Sequence, residues 1–203
     1  MTTTLGREWA RLLPGTDAFG ADLLRRWAEP HRRYHDTGHL AAALDALSGV
    51  GGTARPERLA IWFHDAVHTG TTGPDEEASA TLAAHSLAGC GLPATEVAEV
   101  CRLVLVTVHH SPGSGDAAGA RVSDADLAVL GADPATYAAS VAALRAESPL
   151  ATDAQWRAAR LDRLAELLAR DRLFHSPAGR RRWSVQATAN LVAEQRRLLG
   201  LVP

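Results

Sequence analysis

Apolar residues along the 203-residue chain recur at three- and four-residue intervals, and no stretch alternates with a period of two. That pattern predicts helices throughout. Phe19, Leu23, Leu24 and Trp27 make one stripe, with Asp17 placed to cap its start and Pro30 to end it. Leu40, Leu44 and Leu47 make the next, which begins near Asp36 or Thr37 and stops at Gly49, Gly51 and Gly52. Pro56 suits the first turn of a helix through Leu59, Phe63 and Val67, and residues 69–74 read as a loop. Glu76 to Leu87 follows as a helix closed by Gly89 and Gly91. From Pro93 the run Val97 to Val108 is apolar almost all round, which predicts the central buried helix. A polar loop over 110–116 then leads to a short helix over 124–131 with a glycine stop, and to a helix from Pro134 to about Ala146. Two long amphipathic helices complete the chain. One starts at Thr152 or Asp153 and passes Trp156, Leu161, Leu164, Leu168 and Leu173; the other runs from about Gly179 to Leu199 with Trp183, Ala187, Leu191 and Leu198 inward. The expectation is an all-α protein, one helical domain over 1–203 with a core at 25–175 and a C-terminal helix at 179–200.

Composition narrows the class. A hydrophobic fraction of 46% and a charged fraction of 22% are those of a soluble globular chain. The formal net charge of -2 gives no reason to expect nucleic acid or a membrane as partner. The run Arg180-Arg181-Arg182 lacks aromatic or glycine interleaving and reads as a solvated helix face. All 21 basic residues are arginine, which reads as codon bias rather than chemistry. The amino terminus has no apolar signal core and no segment is long and apolar enough to span a bilayer. Cys90 and Cys101 stand alone in helical patterns, as buried small hydrophobes of a reducing cytoplasm do. A cytoplasmic location is expected.

The chemistry lies in a histidine–carboxylate constellation. His64-Asp65 follows the apolar run Ala60-Ile61-Trp62-Phe63, and burying such a pair is costly unless a charge holds it. A divalent cation does so, and it also accounts for His39 upstream and Asp126 downstream in similar apolar settings. Ile61, His64, Asp65 and His68 are spaced to share one helix face, and His35 joins His39 on a face if that helix reaches back to position 35. Nitrogen and carboxylate donors together suit Mn, Fe, Co, Ni or Zn, with Mg also allowed, better than Ca. Water on such an ion ionises near neutrality. Glu76, after the loop that leaves the metal helix, is a candidate general acid or base; as a first-turn carboxylate it also suits the helix dipole. Arg32 is an apt phosphate clamp.

The order His39, His64-Asp65, Asp126 resembles the HD superfamily of metal-dependent phosphohydrolases. The likeness is closest to a bacterial branch of predicted hydrolases of about this length. It is carried by Arg32-Arg33-Tyr34-His35 with His39, by Trp62-Phe63-His64-Asp65-Ala66-Val67, by Glu76-Glu77-Ala78-Ser79-Ala80, by Thr107-Val108-His109-His110, by Asp124 through Gly131, and by Asn190-Leu191 with Glu194. Two positions depart from the branch: His68 stands where it carries Tyr and Asp75 where it carries Asn. The resemblance implies an HD-type helical bundle with His39, His64, Asp65 and Asp126 as metal ligands, and Asp65 taking part in catalysis. Asp124 is left as a cap or supporting acceptor. His35, His68 and His110 become contacts to substrate phosphate or ligands to a second ion, so one or two ions per chain are expected. The implied reaction is hydrolysis of a phosphate ester or anhydride in a nucleotide or other small phosphorylated metabolite, with a homodimer left open. Two alternatives remain: a di-iron oxygenase built on the same scaffold, and a catalytically silent nucleotide-binding module. His109 is the less favoured of its pair with His110, and His31, His85 and His175 carry no role in any of these.

Overall fold

A computed structural model describes residues 2–201; the remaining ends of the expected 1–203 domain, Met1, Val202 and Pro203, lie outside it. The described residues form ten α-helices and no strand: α1 Thr2–Leu12, α2 Asp17–Trp27, α3 Thr37–Gly49, α4 Arg55–Phe63, α5 Pro74–Gly89, α6 Ala94–His109, α7 Ala117–Asp126, α8 Pro134–Ala146, α9 Asp153–Ala169 and α10 Pro177–Leu198, with a 3₁₀ turn at Leu127–Gly131 between α7 and α8. The all-α expectation holds. No single helix among these is long and apolar enough to cross a membrane.

One continuous apolar core runs from Leu5 in α1 to Leu191 in α10. Its centre is α4, where Leu59, Ala60, Ile61, Trp62 and Phe63 are all completely buried. This short helix is packed by α3, α5, α6 and α7. The expectation that α6 would be the central helix is therefore corrected. Val97, Val100, Leu103, Val104 and Thr107 of α6 face inward, but Leu105 is 43% exposed and Arg102 pairs with Glu99 and Asp116 on the outer side. Apolar residues on the outer face widened the pattern without marking burial.

The amino terminus contributes a helix that the periodicity alone does not announce. Trp9 of α1 inserts beside Phe19, Trp62 and Phe63 in edge-on contacts, and its indole nitrogen donates to the Thr16 carbonyl and hydroxyl. Gly20 makes room for it, since a Cβ there would lie 2.3 Å from the Trp9 ring. Thr16, rather than Asp17, precedes α2, and its hydroxyl donates to the Leu13 carbonyl instead of capping. Elsewhere caps work conventionally. Asp36, Asp116, Asp133, Thr152 and Ser176 accept first-turn amides of α3, α7, α8, α9 and α10.

Helix α4 stops at Phe63, four residues short of the expected Val67. The groups that would continue its ladder are taken by other partners. Arg32 donates to the carbonyls of Asp65 and Ala66, and the Ser79 hydroxyl accepts the Val67 amide. At the far end, Asn190 donates to the carbonyls of Leu130 and Ala132, fixing the 3₁₀ turn against α10. Gly131 is required there, because a Cβ would lie 2.4 Å from that of Trp183.

Candidate metal centre

The four side chains singled out in the sequence meet at one place. His39 comes from the first turn of α3, His64 and Asp65 from the residues just past α4, and Asp126 from the last position of α7. The His39 and His64 Nε2 atoms are 3.1 Å apart. His39 Nε2 lies 3.0 Å from Asp126 Oδ1 and 3.8 Å from Asp65 Oδ2, and His64 Nε2 lies 3.1 Å from Asp65 Oδ2 and 3.4 Å from Asp126 Oδ1. Two donors at right angles on an ion with bonds of about 2.1 Å are about 3.0 Å apart, so most of these separations suit a shared first-row cation.

The ring of His64 is oriented for that task. Its Nδ1 is 2.8 Å from the Ile61 carbonyl, which places the proton on Nδ1 and leaves the Nε2 lone pair facing the carboxylates. Burial opposes charge on His64, but Asp65 and Asp126 outweigh it and raise its pKa well above the ordinary value. Burial likewise opposes ionisation of the two aspartates, and the His64 charge overcomes it and holds both below the usual carboxylate range. A cluster of two carboxylates and two imidazoles with this balance draws in one positive charge, as a proton or as a metal ion. The donor chemistry and spacing thus fit a divalent cation.

A second cluster lies next to it. His35 Nδ1 is 2.6 Å from Glu147 Oε2, and His68 Nε2 is 3.7 Å from the same oxygen. The other oxygen, Oε1, accepts the amides of Arg33, Tyr34 and His35 at 2.7–2.8 Å. Helix α3 begins at Thr37, so His35 does not share a face with His39, and His68 lies beyond the end of α4 rather than on its metal face. Glu147, at the C-terminal end of α8, was missed in the sequence. It lies 112 residues from His35 and belongs to no motif there. The best available signal was an acidic residue directly after a helix.

The remaining candidates divide. His110 lies at a left-handed position (φ 50°) with Nε2 3.7 Å from Asp126 Oδ2; burial pushes its pKa down to about 4, so it is neutral. Arg32 departs from its expected role as phosphate clamp. Its side chain is wholly buried and its guanidinium is spent on Glu29 and on the carbonyls of His35, Asp65 and Ala66. Glu76 accepts the Gly73 amide at the start of α5, the helix-end role, while also lining the cleft beside His35, Asp65 and His68. Asp75 accepts the amides of Thr69, Gly70 and Thr71 and shapes that loop. Asp124 accepts the amides of His175 and Ser176 ahead of α10, as a supporting acceptor. Two role-free histidines make supporting bonds: His175 Nε2 donates to the His110 carbonyl and His31 Nε2 to that of His68.

Two clefts adjoin the metal centre. One, of about 220 Å³, is polar and contains His35, Asp65, His68, Glu76 and Glu147. The other, of about 380 Å³, contains Tyr34, His35, His110 and Asp126 and has mostly apolar walls. A larger cleft of about 620 Å³ around Arg121, Arg172 and Arg181 includes none of the ligand residues. No family model, curated protein or solved structure matches this chain.

Proposed function

We propose that this chain is a metal-dependent phosphohydrolase acting on phosphate esters or anhydrides of small metabolites, nucleotides among them, with one divalent cation held by His39, His64, Asp65 and Asp126. The observation that carries the reading is that ligand atoms of His39, His64 and Asp126 lie within 4.8 Å of one another, with Asp65 Oδ2 3.1 Å from His64 Nε2 and 3.8 Å from His39 Nε2. When bound, the cation supplies polarisation of a phosphoryl oxygen and a lowered pKa for water. Asp65 Oδ1 has no hydrogen-bond partner among the described residues and is free to accept the proton of the attacking water. His35 is the proton donor to the departing oxygen. Burial works against its protonation, but the bond to Glu147 and the field of Asp65 raise its pKa, and it lines both clefts. Glu147 acts through His35 by fixing the ring.

Elemental analysis of purified protein, followed by phosphate-release screening over mononucleotides, cyclic nucleotides and sugar phosphates with Mn, Co, Ni, Mg and Fe in turn, tests the reading. One ion per chain is expected, and His64→Ala is expected to lose both the ion and phosphate release while keeping its helical circular dichroism. Full activity in His64→Ala would overturn the proposal. A second reading rests on the ligand atoms of His35, His68 and Glu147, which lie within 4.8 Å of one another. If two irons per chain are found with oxygen uptake and no phosphate release, oxidative cleavage replaces hydrolysis.

A further inference from the structure

The 380 Å³ cleft is within the size range of small-molecule sites, and its walls differ from those of its polar neighbour. From the edge at Asp126 it extends between Leu127, Leu130, Leu144, Trp156 and Leu167. The charged groups that line it are already paired. Arg160 gives Nε and Nη2 to Glu194 at 2.9 Å, and the Tyr137 hydroxyl donates to the same carboxylate at 2.5 Å. Arg163, at the half-open side, pairs with Glu166 at 2.8 Å. His110 is neutral. Among the described residues lining the cleft, therefore, none offers an unpaired cation to a second phosphate or a carboxylate.

Tyr34 lines the cleft together with Asp126, and its hydroxyl makes no hydrogen bond to another described residue. The ring is held by a tilted contact with His39, with centroids 4.9 Å and planes 36° apart, and by an edge contact with His35 at 4.8 Å. A donor without an acceptor, next to the ligands of a cation that recruits phosphate, is suited to a phosphoryl oxygen.

We propose that this cleft receives the leaving group of a phosphate monoester, an uncharged and largely apolar group, while the Tyr34 hydroxyl donates to a phosphoryl oxygen at the inner end. The inference rests on the phosphohydrolase reading and specifies its substrate class. In the reaction the phosphorus–oxygen bond to the leaving group breaks and the water oxygen bonds to phosphorus. One water proton passes to Asp65 and the departing oxygen takes a proton from His35, so the products are the free alcohol or phenol and inorganic phosphate.

Benzyl phosphate and glycerol 3-phosphate, whose alcohols are similarly poor leaving groups, separate recognition from reactivity. With manganese-loaded protein, kcat/KM is expected to be at least tenfold higher for benzyl phosphate. Trp156→Ala is expected to reduce that preference to less than threefold by raising KM for benzyl phosphate. Tyr34→Phe is expected to lower kcat/KM about tenfold for both esters with metal content intact. Equal kcat/KM for the two esters, or a preference that survives Trp156→Ala, overturns the proposal. A binding measurement keeps the two readings apart: 1-naphthol fluorescence is expected to show one saturable site per chain, weakened at least tenfold by Leu144→Glu. If naphthol fails to bind while phosphate is still released, the cleft assignment falls and the phosphohydrolase reading survives. If naphthol binds in the cleft but neither ester releases phosphate, the phosphohydrolase reading falls, and the leaving-group assignment with it.

Discussion

The pair His64 and His110 shows how identical side chains are shifted in opposite directions a few ångströms from the same aspartate. His64 faces two carboxylates, which raise its pKa against burial; His110 has one carboxylate at 3.7 Å, and burial dominates, so its pKa falls. The consequence for stability has a definite sign. A histidine whose folded pKa is depressed leaves the unfolded chain binding more protons, so its burial costs stability progressively as pH falls from about 6.5 toward about 4. His110→Asn removes that titration and keeps a residue tolerant of the left-handed backbone. The fall of Tm between pH 6.5 and 4, followed by circular dichroism, is expected to be shallower in this variant than in the parent. Glu147 acts in the opposite group. With its pKa held far below the glutamate range, against burial, by its bonds to His35 and His68, it stabilises the fold above about pH 4.3, and that contribution fades as the medium becomes more acidic.

Among the elements, those that carry the candidate ligands are held by bonds from distant helices. The 3₁₀ turn after Asp126 is secured by Asn190 of α10, which spans two carbonyls with one amide group. Asn190→Ala leaves both carbonyls and a small void, and should cost about 2 kcal/mol in urea unfolding. Metal affinity is expected to fall in the same variant, since Asp126 is the residue that the turn follows. The segment before α3 depends on Glu147 in the same way: three amides converge on Oε1. Glu147→Ala is expected to destabilise by about 2–4 kcal/mol, because amides lose their acceptor in a half-buried setting. Arg32 secures the residues after α4, where the planar guanidinium reaches three carbonyls at once. Lysine cannot reproduce that fork, so Arg32→Lys should behave like a deletion of the contact in thermal unfolding.

For the molecule as a whole, folding brings the proposed cation ligands together, and occupancy of that site should in turn stabilise the fold. Saturation at a hundred times Kd adds about 2.7 kcal/mol, which in a chain of this size raises Tm by about 5–10 °C. Manganese is expected to produce that rise in wild type, a chelator to reverse it, and Asp126→Asn to abolish most of it. Much of the architecture was legible in one dimension, because amphipathic periodicity and helix-breaking residues act locally. The stripes around Leu40, around Leu191 and over 134–146 became helices within a residue or two of their expected limits. The pair His64-Asp65 stood out for a related reason, since a polar pair after an apolar run is a local anomaly; that His39 and Asp126 approach it is seen only in the fold. What periodicity misjudged depended on partners distant in sequence. Helix α4 ends at Phe63 because Arg32 and Ser79 take the groups that would extend it, and α4 rather than α6 is the most enclosed helix because of how its neighbours pack. Glu147 joined His35, and Arg32 turned from the phosphate to the backbone, by contacts that span 112 and 33 residues. Local chemistry thus set which segments are helical and which side chains are costly to bury; only tertiary packing set which of them meet, because that choice is made by bonds between residues the sequence keeps far apart.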